Sequence, residues 1–374
     1  MEREVDIYLI DDSISMGLLD DLEMLGDYQN SATVVVSIDH GVPSNTVALT
    51  QKHNRLRRLA DKFGGELYDG EGIGQILLME KHDLTDKTIV SASSYVCGCS
   101  SKGAHAMDVE PDSFLTSLQR GTITFETTPH VVVHLCGSRS EGMHVYDIAL
   151  GLCRQYGNSY FIGKTIEMTD HNNILTNTEI STFFIALREL GATFRGKENG
   201  NFPSRGAPSP RELQHIEFNV LDTSPMIASE GISDYVLGHE GRKINQGFIG
   251  GCLGGGVEDL RVAAQILSQQ NVDKWVDLII SPNSTDVYIK ALEEGLVDIF
   301  LRSGAIIASP SCSACSSFTQ GVIGNGDVFV TTGAKYCRGR MRREGTSLHA
   351  SAATVASSCI AGAITNPIFS HHQN

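Results

Sequence analysis

The sequence lacks a long hydrophobic run, a basic start and an excess of positive charge. No stretch approaches the roughly 18 apolar residues of a membrane helix, and "MEREVDIYLIDD" has neither the basic start nor the apolar core of a signal peptide. A net charge of −15 argues against broad binding to a nucleic-acid backbone, so an anionic substrate needs a local basic pocket. Nine cysteines at irregular spacings are typical of a reducing compartment. We expect a cytoplasmic protein with no nucleic-acid or membrane partner.

Two nucleotide-binding motifs are also missing. The chain has no GK[ST] of a phosphate-binding loop, and no GxGxxG is followed by an acidic residue at the required distance. The 38 glycines are spread along the chain, which indicates many tight turns rather than low complexity. A nucleotide-binding function therefore has little support.

The chain contains an alternation of β-branched runs and helical patterns. "ATVVVSID" (32–39) predicts a buried strand, and "TVALTQKHNRLRRLADKFG" predicts a helix that ends at Gly64. Farther on, "SYFIGKTIEM" (159–168) predicts a strand and "DVYIKALEEGLVDIFLRSG" (286–304) a helix. This alternation is typical of an α/β fold with mainly parallel sheets.

The composition changes along the chain predict three α/β domains. We expect the first at 1–125, the second at 126–212 and the third at 213–374. Residues 196–212, "GKENGNFPSRGAPSPRE", are polar and rich in Gly, Pro and Ser, so a linker is predicted there.

Cysteines occur in two turns that follow predicted strands. Cys252 lies in the glycine-rich turn "GFIGGCLGGGVEDL", where backbone can approach a ligand; an inert buried cysteine is the alternative. Cys312 and Cys315 form a CxxC pair in "SPSCSACSS". The spacing alone fits a redox dithiol, a zinc site, an iron–sulfur cluster or structural cysteines. Cys97 and Cys99 have a CxC spacing that is uncommon for zinc.

The order of four sequence blocks separates these alternatives. "DHGVPSN", "GGCLGGGVEDLRVAAQIL", "SPSCSACSS" and "RGRMRREGTSLHASAATVASSCIAGAITNP" together resemble the aconitase superfamily, in particular the large subunits of 3-isopropylmalate dehydratases. The resemblance covers most of the chain and is strongest from about 240 to 370. It implies three α/β/α domains around a central [4Fe–4S] cluster held by Cys252, Cys312 and Cys315. Three thiolates leave one iron open, and that iron can act as a Lewis acid on a substrate hydroxyl.

The resemblance also implies acid–base and substrate-binding residues. Asp39 and His40 match an Asp-His pair in which the histidine protonates the departing hydroxyl; a helix-capping aspartate and a turn histidine are the alternative. Tyr95 stands at the position of a family histidine and can donate or accept a proton. Lys335 and Arg340 match two arginines near the substrate carboxylate, although a lysine offers only a point charge.

Several positions depart from the family pattern. Ser93 and Gln75 stand where an aspartate and a histidine are expected. Ser181 aligns with the catalytic glutamate, with Glu179 as a nearby substitute. The acid–base residues have therefore diverged, and we expect a substrate other than 3-isopropylmalate or citrate.

The family's catalytic base is a serine on a swivel domain, which a small subunit carries in two-subunit members. We expect this chain to lack that domain and to need a small swivel-domain partner. The sequence thus predicts the large subunit of a hydro-lyase for a small hydroxy-carboxylic acid. The alternative is a non-catalytic iron–sulfur sensor or scaffold protein derived from the same family.

Overall fold

The structure of the protein is a computed structural model, and it describes residues 2–26, 30–92, 95–124, 128–140, 142–188, 192–194, 213–229, 232–316, 319–334 and 345–367. The chain divides into two units that are each assembled from several segments. Unit 1 consists of Met1–His134, Phe161–Thr169 and Leu175–Glu217, and unit 2 of Leu135–Tyr160, Asp170–Ile174 and Phe218–Asn374. The division into three domains stays a prediction, and the expected linker at 196–212 lies outside the described residues.

Strands and helices alternate along most of the chain. The strands are β1 (Glu2–Glu4), β2 (Ile7–Asp11), β3 (Thr33–Ile38), β4 (Glu66–Asp69), β5 (Thr88–Ser91), β6 (His105–Asp108), β7 (Thr122–Thr124), β8 (His130–Cys136), β9 (Thr165–Asp170), β10 (Thr193–Phe194), β11 (Leu213–Asn219), β12 (Met226–Ser229), β13 (Ile232–Tyr235), β14 (Gln246–Ile249), β15 (Asp277–Ile280), β16 (Ile306–Ile307), β17 (Val328–Thr331) and β18 (Thr346–Ala350). The helices are α1 (Met16–Met24), α2 (Val47–Phe63), α3 (Gly74–Lys81), α4 (Pro111–Arg120), α5 (Val145–Tyr156), α6 (Asn177–Arg188), α7 (Gly251–Gly254), α8 (Val257–Leu267), α9 (Thr285–Glu293), α10 (Leu296–Ser303) and α11 (Ala352–Ala361).

Strand β3 and helix α2 have the residues that predicted them. Every residue of β3 after the first is buried, as β-branched side chains are in a parallel sheet covered on both faces. At the start of α2, the Thr46 hydroxyl accepts a hydrogen bond from the backbone N–H of Leu49 at 3.2 Å. Gly64 ends the helix in the left-handed conformation, with φ of 58°. Both predictions are confirmed.

The first sheet lies in unit 1 and has five parallel strands in the order β4–β3–β2–β5–β6. The chain starts at the central strand β2, winds outward to β4, and then returns to form β5 and β6 on the other side. Ligand sites in such sheets lie beyond the carboxyl ends of the strands, where the winding direction changes. In this sheet the change falls between β2 and β5.

The second sheet lies in unit 2 and repeats this winding. Its strand order is β13–β12–β18–β17–β14–β15–β16, and the five strands from β18 to β16 are parallel. Strand β12 pairs antiparallel with both β13 and β18. The winding direction changes between β14 and β17. The predicted α/β fold with mainly parallel sheets is confirmed.

A third sheet has four strands in the order β10–β9–β8–β11, and β1 pairs antiparallel with β7.

Two element predictions are wrong. Residues 286–304 form the two helices α9 and α10, because Gly295 between them has a left-handed backbone with φ of 72°. Residues 159–168 begin within a 3-10 turn, Asn158–Phe161, and join a strand only at Thr165. Within the described part of the chain, no helix combines the length and the apolar character that crossing a membrane requires.

Candidate active site

A buried cluster of acidic and histidine side chains lies at the carboxyl edge of the first sheet. Asp11 ends β2 and Asp12 follows it, while Asp39 and His40 follow the neighbouring strand β3. All four residues are at most 2% exposed. The donor atoms of Asp11, Asp12 and His40 all lie within 4.8 Å of one another. Sequence reasoning identified Asp39 and His40 but missed Asp12, although a carboxylate directly after a buried strand was a signal for it.

One ring nitrogen of His40 contacts two carboxylates. Its Nδ1 lies 2.7 Å from Asp12 Oδ1 and 2.7 Å from Asp39 Oδ1. The backbone N–H of His40 also donates to the two oxygens of Asp12, at 3.2 and 3.1 Å. The ring and the main chain of His40 are therefore fixed by the same carboxylate.

Asp12 is shared between two histidines. Its Oδ1 contacts His40, and its Oδ2 lies 2.8 Å from Nε2 of His53 on helix α2. Burial by itself raises the pKa of Asp12, but the charges and hydrogen bonds of the two histidines outweigh burial and hold the pKa well below its usual range. Lys52 Nζ donates to the backbone carbonyls of Asp12 at 2.6 Å and Ile14 at 2.7 Å. Asp12 is therefore an ionised carboxylate with both oxygens engaged.

Asp39 contacts His40 and also caps a helix. Its Oδ2 accepts hydrogen bonds from the backbone N–H of Gly74 at 2.8 Å and from the hydroxyl of Ser37 at 3.2 Å. Gly74 is the first residue of α3, so this bond satisfies a backbone donor at the helix start. Burial raises the pKa of Asp39, and the neighbouring His40 opposes that rise. The helix-capping alternative is thus correct for Asp39 without removing it from the cluster.

Tyr95 lies beyond the carboxyl end of β5, just before a 3-10 turn that starts at Val96. Asp108, at the end of β6, accepts a hydrogen bond from the backbone N–H of Val96 at 3.0 Å and another from the Nε–H of Arg188 at 3.0 Å. Burial raises the pKa of Asp108 to about 6 although Arg188 opposes the rise. Burial lowers the pKa of Arg188, but the charge of Asp108 and its hydrogen bond, with smaller contributions from Cys97 and Tyr95, outweigh burial and raise that pKa. Sequence reasoning missed both Asp108 and Arg188.

Two further positions of the expected acid–base group, Glu179 and Ser181, lie in helix α6. Glu179 Oε2 accepts hydrogen bonds from the backbone N–H of Thr176 at 2.9 Å and from its hydroxyl at 3.0 Å. These bonds give Glu179 a capping role at the start of the helix. The Ser181 hydroxyl donates to the sulfur of Met79 at 3.6 Å. The residues expected at the site but outside the described part of the chain are Ser93, Lys335 and Arg340.

The CxC pair belongs to the packing of unit 1. Cys99 is fully buried, and its thiol donates to the backbone carbonyl of Gln75 at 3.8 Å. Burial raises the pKa of Cys99 far above its usual value, so this thiol stays neutral. The Cys97 thiol donates to the carbonyl of Tyr95 at 3.8 Å. Cys99 therefore fills core space, as structural cysteines do.

Three cysteines of unit 2 lie at the carboxyl edge of the second sheet. Cys252 is in helix α7 directly after β14. Cys312 directly precedes a 3-10 turn after β16, and Cys315 is the last residue of that turn. Their exposed fractions are 9%, 8% and 6%. The cysteines that the structure describes form no disulfide. Because β14, β15 and β16 are parallel neighbours, the two cysteine-bearing turns emerge at the same edge of the sheet.

Glycines leave room around the Cys315 sulfur. A Cβ atom built on Gly333 would lie 2.9 Å from Cys315 Sγ, and one built on Gly251 would lie 3.9 Å from it. Gly251 has φ of 71°, a conformation that favours glycine. Since Gly251 directly precedes Cys252, the 3.9 Å from this built Cβ to Cys315 Sγ shows that the two cysteine-bearing turns lie close together. Side chains at these glycines would occupy space beside the thiols.

The donor set and its surroundings fit a [4Fe–4S] cluster. Such clusters are held by cysteine thiolates, and Cys252, Cys312 and Cys315 bring three buried thiols to one edge of the sheet. Glycines leave space beside the Cys315 thiol. A structural zinc site instead takes four Cys or His ligands.

A histidine–carboxylate pair secures the turn after Cys252. Asp259 Oδ2 accepts a hydrogen bond from the backbone N–H of Gly256 at 3.2 Å. The other oxygen of Asp259, Oδ1, lies 2.6 Å from His144 Nε2. Nδ1 of His144 accepts the backbone N–H of Tyr146 at 3.2 Å, so the ring proton is on Nε2 and faces Asp259. This pair joins the start of α8 to the start of α5. Sequence reasoning did not identify it, because the two residues lie far apart in the chain.

Comparison with known proteins places the chain among related sequences and folds. Residues 231–362 match the Aconitase family (aconitate hydratase). The 3-isopropylmalate dehydratase large subunit of Wolinella succinogenes is 30% identical over 365 residues, which cover 89% of this chain and 85% of that protein. The methanogen homoaconitase large subunit of Methanocaldococcus jannaschii is 28% identical over 399 residues, which cover 98% of this chain and 95% of that protein. The crystal structure of Thermococcus kodakaraensis aconitase X (holo-form) shares the fold, with a TM-score of 0.56 at 13% identity over 90% of this chain and 84% of that one.

Proposed function

The chain belongs to the aconitase family, and we propose that it is the large subunit of a [4Fe–4S]-dependent hydro-lyase for a small hydroxy-carboxylic acid. The observation that carries the proposal is the set of three buried thiols beside glycine-lined space at the carboxyl edge of the second sheet. The relatives support it, because their names are those of dehydratase and homoaconitase large subunits. The reaction class is removal or addition of water.

Cys252, Cys312 and Cys315 are the proposed ligands of the cluster. When it is bound, three thiolates leave one iron with an open position, where it acts as a Lewis acid on the substrate hydroxyl. The protein's own contribution at this edge is to bury the thiols and to keep the space beside Cys315 clear of side chains.

His40 is the proposed proton donor to the departing hydroxyl, which then leaves as water. Its Nδ1 lies 2.7 Å from an oxygen of Asp12 and 2.7 Å from an oxygen of Asp39, and these contacts orient the ring. Tyr95 is the proposed second proton carrier, at the same edge of the first sheet. Lys335 and Arg340 are the proposed cations for the substrate carboxylate, on the basis of the family pattern.

The base that removes the carbon-bound proton is proposed to lie on a small swivel-domain partner. The described relatives are named large subunits, which supports a two-subunit enzyme. Co-expression with a small subunit encoded beside this gene should yield a stable complex. A chain that turns over its substrate at full rate by itself would exclude this arrangement.

Anaerobic purification tests the cluster. The wild-type chain should be brown, with broad absorption at about 400 nm and stoichiometric iron and sulfide. Cys312→Ser should lower the iron content strongly. The matched control is Cys136→Ser, because the Cys136 thiol is partly buried and donates to the Phe218 carbonyl at 3.5 Å, a role a hydroxyl can keep. A colourless wild type with stoichiometric zinc would exclude the cluster.

Turnover separates an enzyme from a non-catalytic protein. The chain, loaded with its cluster and combined with the small subunit, should form an unsaturated product from at least one member of a panel of malate-like and other hydroxy acids. A fully loaded complex that acts on none of them would favour the alternative function of an iron–sulfur sensor or scaffold.

A further inference from the structure

We propose that Asp12 is the positioning residue of His40: it keeps one ring proton on Nδ1 and makes Nε2 the atom that gives its proton to the departing hydroxyl. The inference rests on the proposed hydro-lyase function. It adds to the Asp39–His40 pair a carboxylate that the sequence pattern does not identify.

The assignment of the proton follows from the chemistry of the contact. An ionised carboxylate accepts hydrogen bonds and donates none, so Nδ1 at 2.7 Å from Asp12 Oδ1 must carry a hydrogen. Asp12 also accepts the backbone N–H of His40, which fixes the position of the residue together with the direction of its ring. With Nδ1 committed to this bond, Nε2 is the nitrogen that exchanges a proton with the substrate.

Helix α2 holds Asp12 in place from its other side. His53 Nε2 donates to Asp12 Oδ2 at 2.8 Å, and the adjacent Lys52 donates to the carbonyls of Asp12 and Ile14. The helix therefore fixes both the carboxylate and the main chain that carries it. A carboxylate held by two partners keeps its oxygen directed at His40 without a reorganisation during the reaction.

The proton balance of the dehydration step is complete within this arrangement. The C–O bond breaks and its electron pair stays on the hydroxyl oxygen, which takes the Nε2 proton of the charged His40 ring and leaves as water. The ring becomes neutral and retains its Nδ1 proton, which Asp12 accepts in a hydrogen bond. The proton on the neighbouring carbon goes to the base of the partner subunit, and its electron pair forms the double bond.

A mutant cycle tests whether Asp12 acts through His40. Asp12→Asn keeps the shape of the side chain but replaces one acceptor with an NH₂ donor, so it cannot accept from both histidines. We expect kcat to fall by up to about 10⁴-fold, the loss known for an amide in place of a carboxylate that orients a catalytic histidine. KM and iron content should not change. In a His40→Asn background, Asp12→Asn should cause no further loss, and an equal further loss there would overturn the proposal.

Nuclear magnetic resonance gives a second readout that needs no turnover. The full-length chain is labelled with ¹⁵N-histidine, and the His40 ring is assigned from its loss in His40→Asn. Nδ1 should have the shift of a protonated nitrogen in the wild type, and that shift should change in Asp12→Asn. Asp147→Asn, which removes a buried carboxylate of unit 2, should leave it unchanged. An unprotonated Nδ1 in the wild type would overturn the proposal.

The two readouts distinguish failure of this inference from failure of the proposed function. If the wild type acts on no hydroxy acid, the hydro-lyase proposal fails, and the Nδ1 shift still decides the role of Asp12. If Asp12→Asn does not fold, His53 supplies the test. His53→Ala should lower kcat by about 10-fold, and His53→Gln should restore most of it, because the amide N–H can donate to Asp12. Equal losses in the two variants would contradict a positioning role.

Discussion

Replacing Gly333 with alanine should weaken cluster binding without unfolding the chain. Gly333 follows β17, and its φ is outside the left-handed region, so the alanine backbone is permitted. The new Cβ would lie 2.9 Å from Cys315 Sγ and 3.1 Å from Thr331 Oγ1. Since real Cβ contacts essentially never fall under 3.0 Å, one of these atoms has to shift.

The size of the effect follows from this distance. Ordinary contact begins at 3.4 Å, so Cys315 Sγ must move by about 0.5 Å, the difference between 3.4 and 2.9 Å. Overpacking of this kind costs about 1–3 kcal/mol. Without a cluster the thiol can rotate and relieve the contact, whereas a thiolate bound to iron cannot, so the cost falls on the loaded protein. At about 1.4 kcal/mol per factor of ten, cluster retention should weaken by about 5- to 150-fold.

The assay is the rate at which an excess of iron chelator removes the cluster, followed by the loss of absorption at about 400 nm. Gly17→Ala is the matched control, because its Cβ would meet only Ser15 Oγ at 3.9 Å and alanine is a good helix former in the first turn of α1. Gly333→Ala should lose its cluster faster than the wild type and Gly17→Ala should not. Equal rates and equal iron content in all three proteins would refute the assignment of Cys315 as a ligand beside Gly333.

Two further predictions concern stability. Burial raises the pKa of Asp108 from 3.8 to about 6, so the folded chain binds this proton more tightly than the unfolded chain. The contribution of Asp108 to the free energy of unfolding therefore falls as the pH rises from about 4 to about 6, by up to about 3 kcal/mol. The unfolding free energy of the wild type minus that of Asp108→Asn should decrease by this amount over that range, and a constant difference would contradict the shift. Gly247→Ala should cost about 1–3 kcal/mol, because its Cβ would overlap Cys359 Sγ. Adding Cys359→Ala to the Gly247→Ala chain should restore most of the lost free energy of unfolding, as measured by denaturant titration. If it restores none, the overlap with Cys359 is not the cause of the loss.

The pattern of strands and helices could be predicted wherever its causes are local. The β-branched residues of β3 and the Thr46 and Gly64 caps of α2 act within a few residues of one another, and both predictions are confirmed. Residues 286–304 show the limit of this reasoning. Their continuous apolar pattern hid the break at Gly295, where the chain takes a left-handed backbone and starts a second helix.

The partners of the site residues could not be predicted in the same way. Asp12 lies 28 residues from His40 and 41 residues from His53, and Asp108 lies 80 residues from Arg188. No periodicity or capping pattern relates positions so far apart. Only the strand order of the first sheet shows that Asp12, His40 and Asp108 lie at one edge of it. Only the packing of α2 and α6 brings His53 to Asp12 and Arg188 to Asp108.

The amino-acid sequence alone identifies the candidate residues of the site. They are a cysteine in a glycine-rich turn, a CxxC pair and an Asp-His pair, each directly after a predicted strand. These features are local, and a family resemblance can be read from their order. The tertiary structure decides which carboxylate holds His40 and which glycine leaves room for Cys315. Those contacts depend on the winding of two mainly parallel sheets, in each of which the ends of sequentially distant strands come to one edge.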